Sequence, residues 1–241
     1  MYRKKLKLQK ENPHKRDRYV RESDNYEEDH IYMIRGKSHI DRGYKSTTTW
    51  LKQFFEEFDA DSVIDQYYDN WQARKHEKYF EKSKEEIKQM WDDNRDDAAT
   101  KGTHMHLQFE MLMNDKGFTD CDEIEEFLRW YSDNDVKPYR TEMTIYSPKY
   151  RIVGNVDLIC KVNGEWSIVD FKMCSGPMSK YPHTDATKHA LQLEIYKKIL
   201  NEVYGFEIKN LYNLYIKEHG EYIFEDRNFI DNIDEILKHG K

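Results

Sequence analysis

At 241 residues the chain has room for one domain with a substantial core. Charged residues make up 35% and apolar residues 38%, yet 14% are aromatic, which excludes general disorder. The net charge of −7 excludes a uniformly basic nucleic-acid binder, and no apolar run approaches the ~20 residues of a bilayer span, so no membrane association is expected.

Cys121, Cys160 and Cys174 are odd in number and widely spaced. They form no zinc pattern, cannot supply the four thiolates of an iron–sulfur cluster, and point to a reducing, intracellular setting. The N-terminus, MYRKKLKLQKENPHKRDR, has no apolar segment after its charges and therefore no secretory signal. Residues 1–18 carry eight basic residues against Glu11 and Asp17, a local excess of +6 in an acidic chain. This arm reads either as a contact to nucleic acid or an address, or as a solvated tail.

In chain order, residues 1–40 lack helical or strand period and read as a flexible, basic and polar arm. The rest, 41–241, reads as a single domain with a helical part over 41–135 and a sheet with flanking helices over 136–241. Ser46 and the threonines after it supply N-cap chemistry, and Trp50, Leu51, Phe54, Phe55 and Phe58 follow at helical spacing. Charged helical pattern runs over about 61–92. Further helices are expected at about 95–113, with Met105, Phe109, Leu112 and Met113 on the apolar face, and at 121–132.

After Pro138 the texture becomes β-branched and aromatic, predicting strands at about 140–146, 150–162 and 166–173. Ser147-Pro148 and Asn163-Gly164 mark the turns, the second being a strong hairpin signal. A helix at about 184–204, one or two strands and a short helix over 228–239 complete the pattern. The expected fold class is α/β, a small mixed sheet flanked by helices.

One strand ends in WSIVDFKMC, with Asp170 two residues before Lys172. Alternate strand residues share a face, so these two point together while Val169, Phe171 and Met173 enter a core. The spacing alone decides nothing, since Glu86/Lys88, Asp135/Lys137 and Glu207/Lys209 share it. The Asn-Gly hairpin, however, sets Asp157 beside Asp170, and directly opposed carboxylates repel. Either a cation such as Mg²⁺ or Mn²⁺ lies between them, or one acid pairs with Lys172 and nothing binds. Glu142 on the preceding strand is a third acid. His106 and Glu110 share a helix face at i and i+4, as do Gln192 and Tyr196.

The ordered set Gly102, His106 and Glu110; Glu142; Gly154 and Asp157; Asp170 and Lys172; Gln192 and Tyr196 resembles the PD-(D/E)XK nuclease superfamily. It is most similar to the RecB-like exonuclease branch, and there to the mitochondrial genome maintenance exonucleases and related phage and large-DNA-virus nucleases. That group also carries an S-x-T before a helix, matched by Ser46 and Thr48. The likeness spans about residues 45–200.

It implies a Mg²⁺- or Mn²⁺-dependent phosphodiesterase, with one or two ions, acting on DNA and preferring single strands with free ends. Asp157 and Asp170 would bind metal, with the Phe171 carbonyl and His106 as further ligands. Lys172 would position water and stabilise charge, and Glu110 and Glu142 would support or hold a second ion. Ser46, Thr48, Gln192 and Tyr196 would contact substrate. Trp50, Phe54, Tyr67, Tyr68 and Trp71 belong to a region such enzymes use as an arch over the strand, unless they pack as core. The cysteine quartet of the iron–sulfur branches and any nucleotide-binding helicase motif are missing. An endonuclease or flap nuclease, or a nucleic-acid-binding module without turnover, are the competing readings.

Overall fold

The computed structural model describes residues 5–23, 31–75, 77–117, 122–174, 185–217 and 221–239. The chain forms two compact units, Met1–Phe55 with Met105–Lys241, and Glu56–His104.

The first unit is built on a mixed sheet of six strands: β4 (Lys45–Ser46), β5 (Val136–Ser147), β6 (Ile152–Val162), β7 (Glu165–Cys174), β8 (Asn210–Lys217) and β9 (Glu221–Asp226). The β6–β7 hairpin closes on Asn163 and Gly164, both left-handed, as the two-residue turn requires. β5 runs antiparallel along one edge of β6. On the other edge β4 pairs in parallel at Ile152 and Val153, and β7 pairs from Leu158 onward. Among the described residues the stretch from Gly154 to Asp157 therefore has no strand partner on that edge. β7 pairs in parallel with β8, which requires a crossover, supplied by α6 (Ala186–Ile199) and the π turn Leu200–Tyr204.

Alternation sorts the core. Ile159 and Ile168 pack with Leu191, Leu193, Ile195 and Ile199, the α6 side. Leu158, Cys160, Val169 and Phe171 pack with Met105 and Phe109 of α4 (Lys84–Met113) and with Ile124, Phe127 and Trp130 of α5 (Asp122–Asp133). Helices thus cover both faces, in the α/β arrangement expected. α7 (Ile233–His239) ends the described chain. Cys160 and Cys174 are free and buried, and Cys121 lies outside the described residues.

The arm expected over residues 1–40 is instead structured where it is described. It forms α1 (Lys7–Glu11) and an antiparallel sheet of β1 (Val20–Glu22), β2 (Tyr32–Ile34) and β3 (Lys37–Ser38). Leu8, Val20, Tyr32 and Ile34 are buried. The anchors are long-range and polar. Asp17 pairs with Arg140 at 2.9 Å, both nearly buried, and Arg16 Nε donates to the Val203 carbonyl at 2.9 Å. Such contacts leave no local period to read.

In the second unit the charged stretch over 61–92 is not one helix. α3 (Ala60–Gln72) stops, and α4 starts afresh at Lys84, running on through the helix expected at 95–113. A reciprocal cap causes the restart: Glu86 N–H donates to Ser83 Oγ at 3.1 Å and Ser83 N–H to Glu86 Oε2 at 2.7 Å. Only Ile64 and Ile87 among its described apolar residues are fully covered, and Phe58, Trp71, Tyr79 and Trp91 pack as a ring cluster.

Candidate active site

The site lies at the unpartnered stretch of β6. On β5, Thr141 pairs with Leu158 and Met143 with Val156, so Glu142 sits opposite Asp157. Glu142 has φ 47, a left-handed conformation inside a strand that costs a non-glycine residue roughly 1–3 kcal/mol and is held only where its surroundings fix it. Asn155 Nδ2 donates to its Oε2. His106, on the part of α4 within the first unit, completes the group: its Nδ1 is 3.6 Å from Asp157 Oδ2 and 3.9 Å from Glu142 Oε1.

Ligand atoms of His106, Glu142 and Asp157 all lie within 4.8 Å of one another, the one such trio among the described residues. The imidazole Nε2 is 3.0 Å from the Phe171 carbonyl, which can only accept, so this nitrogen carries a hydrogen. In the neutral ring the Nδ1 lone pair then faces two carboxylates. Three converging lone-pair donors repel unless a proton or a cation lies among them, and imidazole with carboxylates is a donor set suited to a divalent metal.

Asp157 Oδ2 also accepts from the Phe171 N–H at 2.8 Å. Burial, with the charge of Asp170 added, raises the Asp157 pKa, against His106 and Lys172. Asp170 stands just beyond the last β6–β7 pair, Leu158 with Val169, in register with Asp157. It does not join the trio. Its Oδ2 accepts from Lys172 Nζ at 2.7 Å and from Asn213 Nδ2 at 2.8 Å. Burial works against the Lys172 ammonium, but Asp170 and Asp157 outweigh it and hold its pKa above the ordinary lysine value. The expected ion pair is therefore present, beside a separate group fit for metal.

The remaining candidates divide. Gln192 Nε2 donates to Tyr196 Oη at 3.2 Å, and that hydroxyl also bonds Thr47, which donates to the Val153 carbonyl at 3.1 Å. A Cβ on Gly154 would lie 2.6 Å from the Tyr196 ring and 2.7 Å from Thr47 Oγ1, so only glycine lets α6 approach β6 here. Burial, with the nearby carboxylates, pushes the Tyr196 phenol up. Ser46 is buried and caps α2 (Thr47–Leu51), accepting from the Thr49 N–H at 3.1 Å, while Thr48 is exposed.

Glu110 stands apart. Its Oε1 meets Thr141 Oγ1 and Gln9 Nε2 at 3.5 Å, away from the trio. Of the aromatics, Trp50 is core, and Trp71 packs against Tyr67 and Tyr79. Tyr68 Oη donates to the Lys82 carbonyl, and Phe54 and Tyr67 are exposed.

Four further residues belong to this site. Behind Asp170, Arg227 Nε donates to Asn213 Oδ1 at 2.8 Å, so the amide must turn its Nδ2 toward the carboxylate. Another Arg227 nitrogen donates to Tyr215 Oη at 2.9 Å, and Tyr215 meets His189 Nδ1 at 3.0 Å. Asn213 is fully buried and Arg227 nearly so. The sequence signal was weak: polar residues in the buried strand NLYNLYIK, one just after the next strand, and a lone histidine in the first turn of α6.

A sequence profile of the PD-(D/E)XK nuclease superfamily matches residues 36–228, four-fifths of the chain. The chain belongs to this superfamily. The PD-(D/E)XK match takes in every site residue above except Gln9. No curated protein matches. Among solved structures, the crystal structure of SSO0001 is similar at 14% identity over 80% of this chain and 71% of its own, with a TM-score of 0.36. Superfamily membership brings metal-dependent nuclease chemistry and a nucleic-acid substrate. No described helix is long and apolar enough to cross a membrane.

Proposed function

We propose that this chain is a Mg²⁺- or Mn²⁺-dependent DNA exonuclease of the RecB-like kind, acting on single strands with free ends. The observation that carries the metal reading is the convergence of His106, Glu142 and Asp157 beside the Asp170–Lys172 pair. In such a site bound metal activates water and neutralises phosphate charge.

The chain's own residues do the rest. Asp157, His106 and Glu142 would hold the ion, with Asp170 beside them, and the Phe171 carbonyl fixes the His106 ring through its Nε2. Lys172, kept protonated by Asp170, binds a phosphate oxygen and orients the attacking water. Gln192 and Tyr196 fix the wall of the site against Gly154. Thr48, exposed and bonded to the Ser46 hydroxyl at 3.1 Å, contacts a backbone phosphate in this reading. Glu110 supports from behind, through Thr141.

The test is a gel assay with end-labelled linear and circular single-stranded DNA, with and without Mg²⁺ or Mn²⁺. Metal-dependent shortening of linear strands with circles spared is expected. Cut circles would replace exonuclease by endonuclease, and no cleavage of DNA or RNA would leave only a binding role.

A further inference from the structure

Away from the metal group, a recess of about 470 Å³ opens between the β2–β3 turn and the β5–β6 turn. Arg35, Lys37, Arg42 and Arg151 line it against the single acid Asp41. This concentration of cations stands out in a chain of net charge −7. Among the described residues none of the four is in an ion pair.

Two guanidinium groups are fixed by backbone. Arg42 Nε donates to the Ile34 carbonyl at 2.6 Å and another of its nitrogens to the Arg35 carbonyl at 3.1 Å. Arg151 donates to the carbonyls of Arg42 and Gly43 and lies over the Tyr44 ring at 4.5 Å. Arg35 and Arg18 both lie over Tyr19, at 5.2 and 4.6 Å, so part of the N-terminal positive charge gathers here. Arg35 and Arg151 are left-handed, which aims both from tight turns.

Preset guanidinium forks beside an aromatic ring match a phosphodiester flanked by sugar or base. Arg151 immediately precedes β6, six residues before Asp157, or about 20 Å at the ~3.3 Å rise of a strand. We propose that this recess binds a backbone phosphate of the nucleic-acid strand well away from the point of cleavage. The inference rests on the nuclease reading and deepens it: the enzyme would grip long strands at two places.

The test uses the full chain carrying Arg35→Asn with Lys37→Gln. Asparagine accepts the left-handed backbone at position 35, and among the described residues neither replaced side chain makes a hydrogen bond. Binding of a fluorescent single strand, longer than the ~16 nucleotides of a typical single-strand site, is followed by anisotropy in EDTA across a salt series. The double variant should bind about tenfold more weakly, with a log–log salt slope shallower by about 0.7, the loss of one single-strand phosphate contact. Cleavage of a dinucleotide with Mn²⁺, too short to reach the recess, should be unchanged. Equal affinity and slope would overturn the proposal, as would a parallel loss of dinucleotide cleavage. If the wild type cuts neither substrate, the nuclease reading fails, while the EDTA binding series still decides the recess.

Discussion

Lys84 meets Asp65 and Lys88 meets Asp61 at 2.7 Å in the unit Glu56–His104, and Lys172 meets Asp170 at 2.7 Å in the sheet unit. The distances are equal but the surroundings are not. The side chains of the helical pairs are 46% to 69% exposed, whereas the Asp170 side chain is 6% exposed and also bound to Asn213. Water and salt screen the first kind to near nothing, while in the second either charge left alone is costly. A short ion pair is thus evidence of a site only where burial forces its partners to be specified, as Asn213 and Arg227 specify Asp170.

The largest effect should follow from breaking the buried pair. Asp170→Asn or Lys172→Ala should reduce metal-dependent cleavage at least about 10²–10³-fold, with circular dichroism showing the fold retained. Wild-type rates in either variant would remove these residues from the chemistry.

Arg227→Met comes next. It frees the Asn213 amide to turn and leaves Asn213 and Tyr215 short of a buried donor. Stability should fall by about 1–3 kcal/mol. The Mn²⁺ concentration for half-maximal cleavage should rise roughly 10–100-fold, since a residue that orients a ligand acts through metal affinity. A stability loss with an unmoved Mn²⁺ requirement would make Arg227 merely structural.

A pH effect should be smaller. Burial, with Lys172 adding, lowers the His189 pKa from 6.5 to about 4. The folded ring excludes a proton that the unfolded ring takes up between those values. Its stability contribution is complete above pH 6.5 and is lost as pH falls toward 4, at no more than about 1.4 kcal/mol per pH unit. Melting curves of wild type and His189→Gln should therefore converge as pH drops through this window, and parallel curves would contradict it. The smallest effect should come from Lys84→Ala or Lys88→Ala, with no resolvable change in melting temperature or cleavage.

What the sequence made legible were the local patterns. The Asn163-Gly164 turn fixed the hairpin and placed Asp157 with Asp170. The i, i+4 spacing of Gln192 and Tyr196 became a hydrogen bond. His106 stood where its helix face suggested, while Glu110, on the same face, points to Thr141 because the next turn of the helix lies deeper in the fold. Asn213 was hidden because its role arises from a parallel register with β7, set by a crossover rather than a turn. Arg227 was hidden because it acts through Asn213. The N-terminal elements were hidden because partners such as Asp17 and Arg140 lie more than a hundred residues apart.

The most direct measurement is Mn²⁺ titration by calorimetry of the wild type and of Asp157→Asn. The account predicts saturable binding to the wild type that is abolished, or weakened at least tenfold, in the variant. Equal binding by both, or no binding to the wild type, would contradict a metal centre at His106, Glu142 and Asp157.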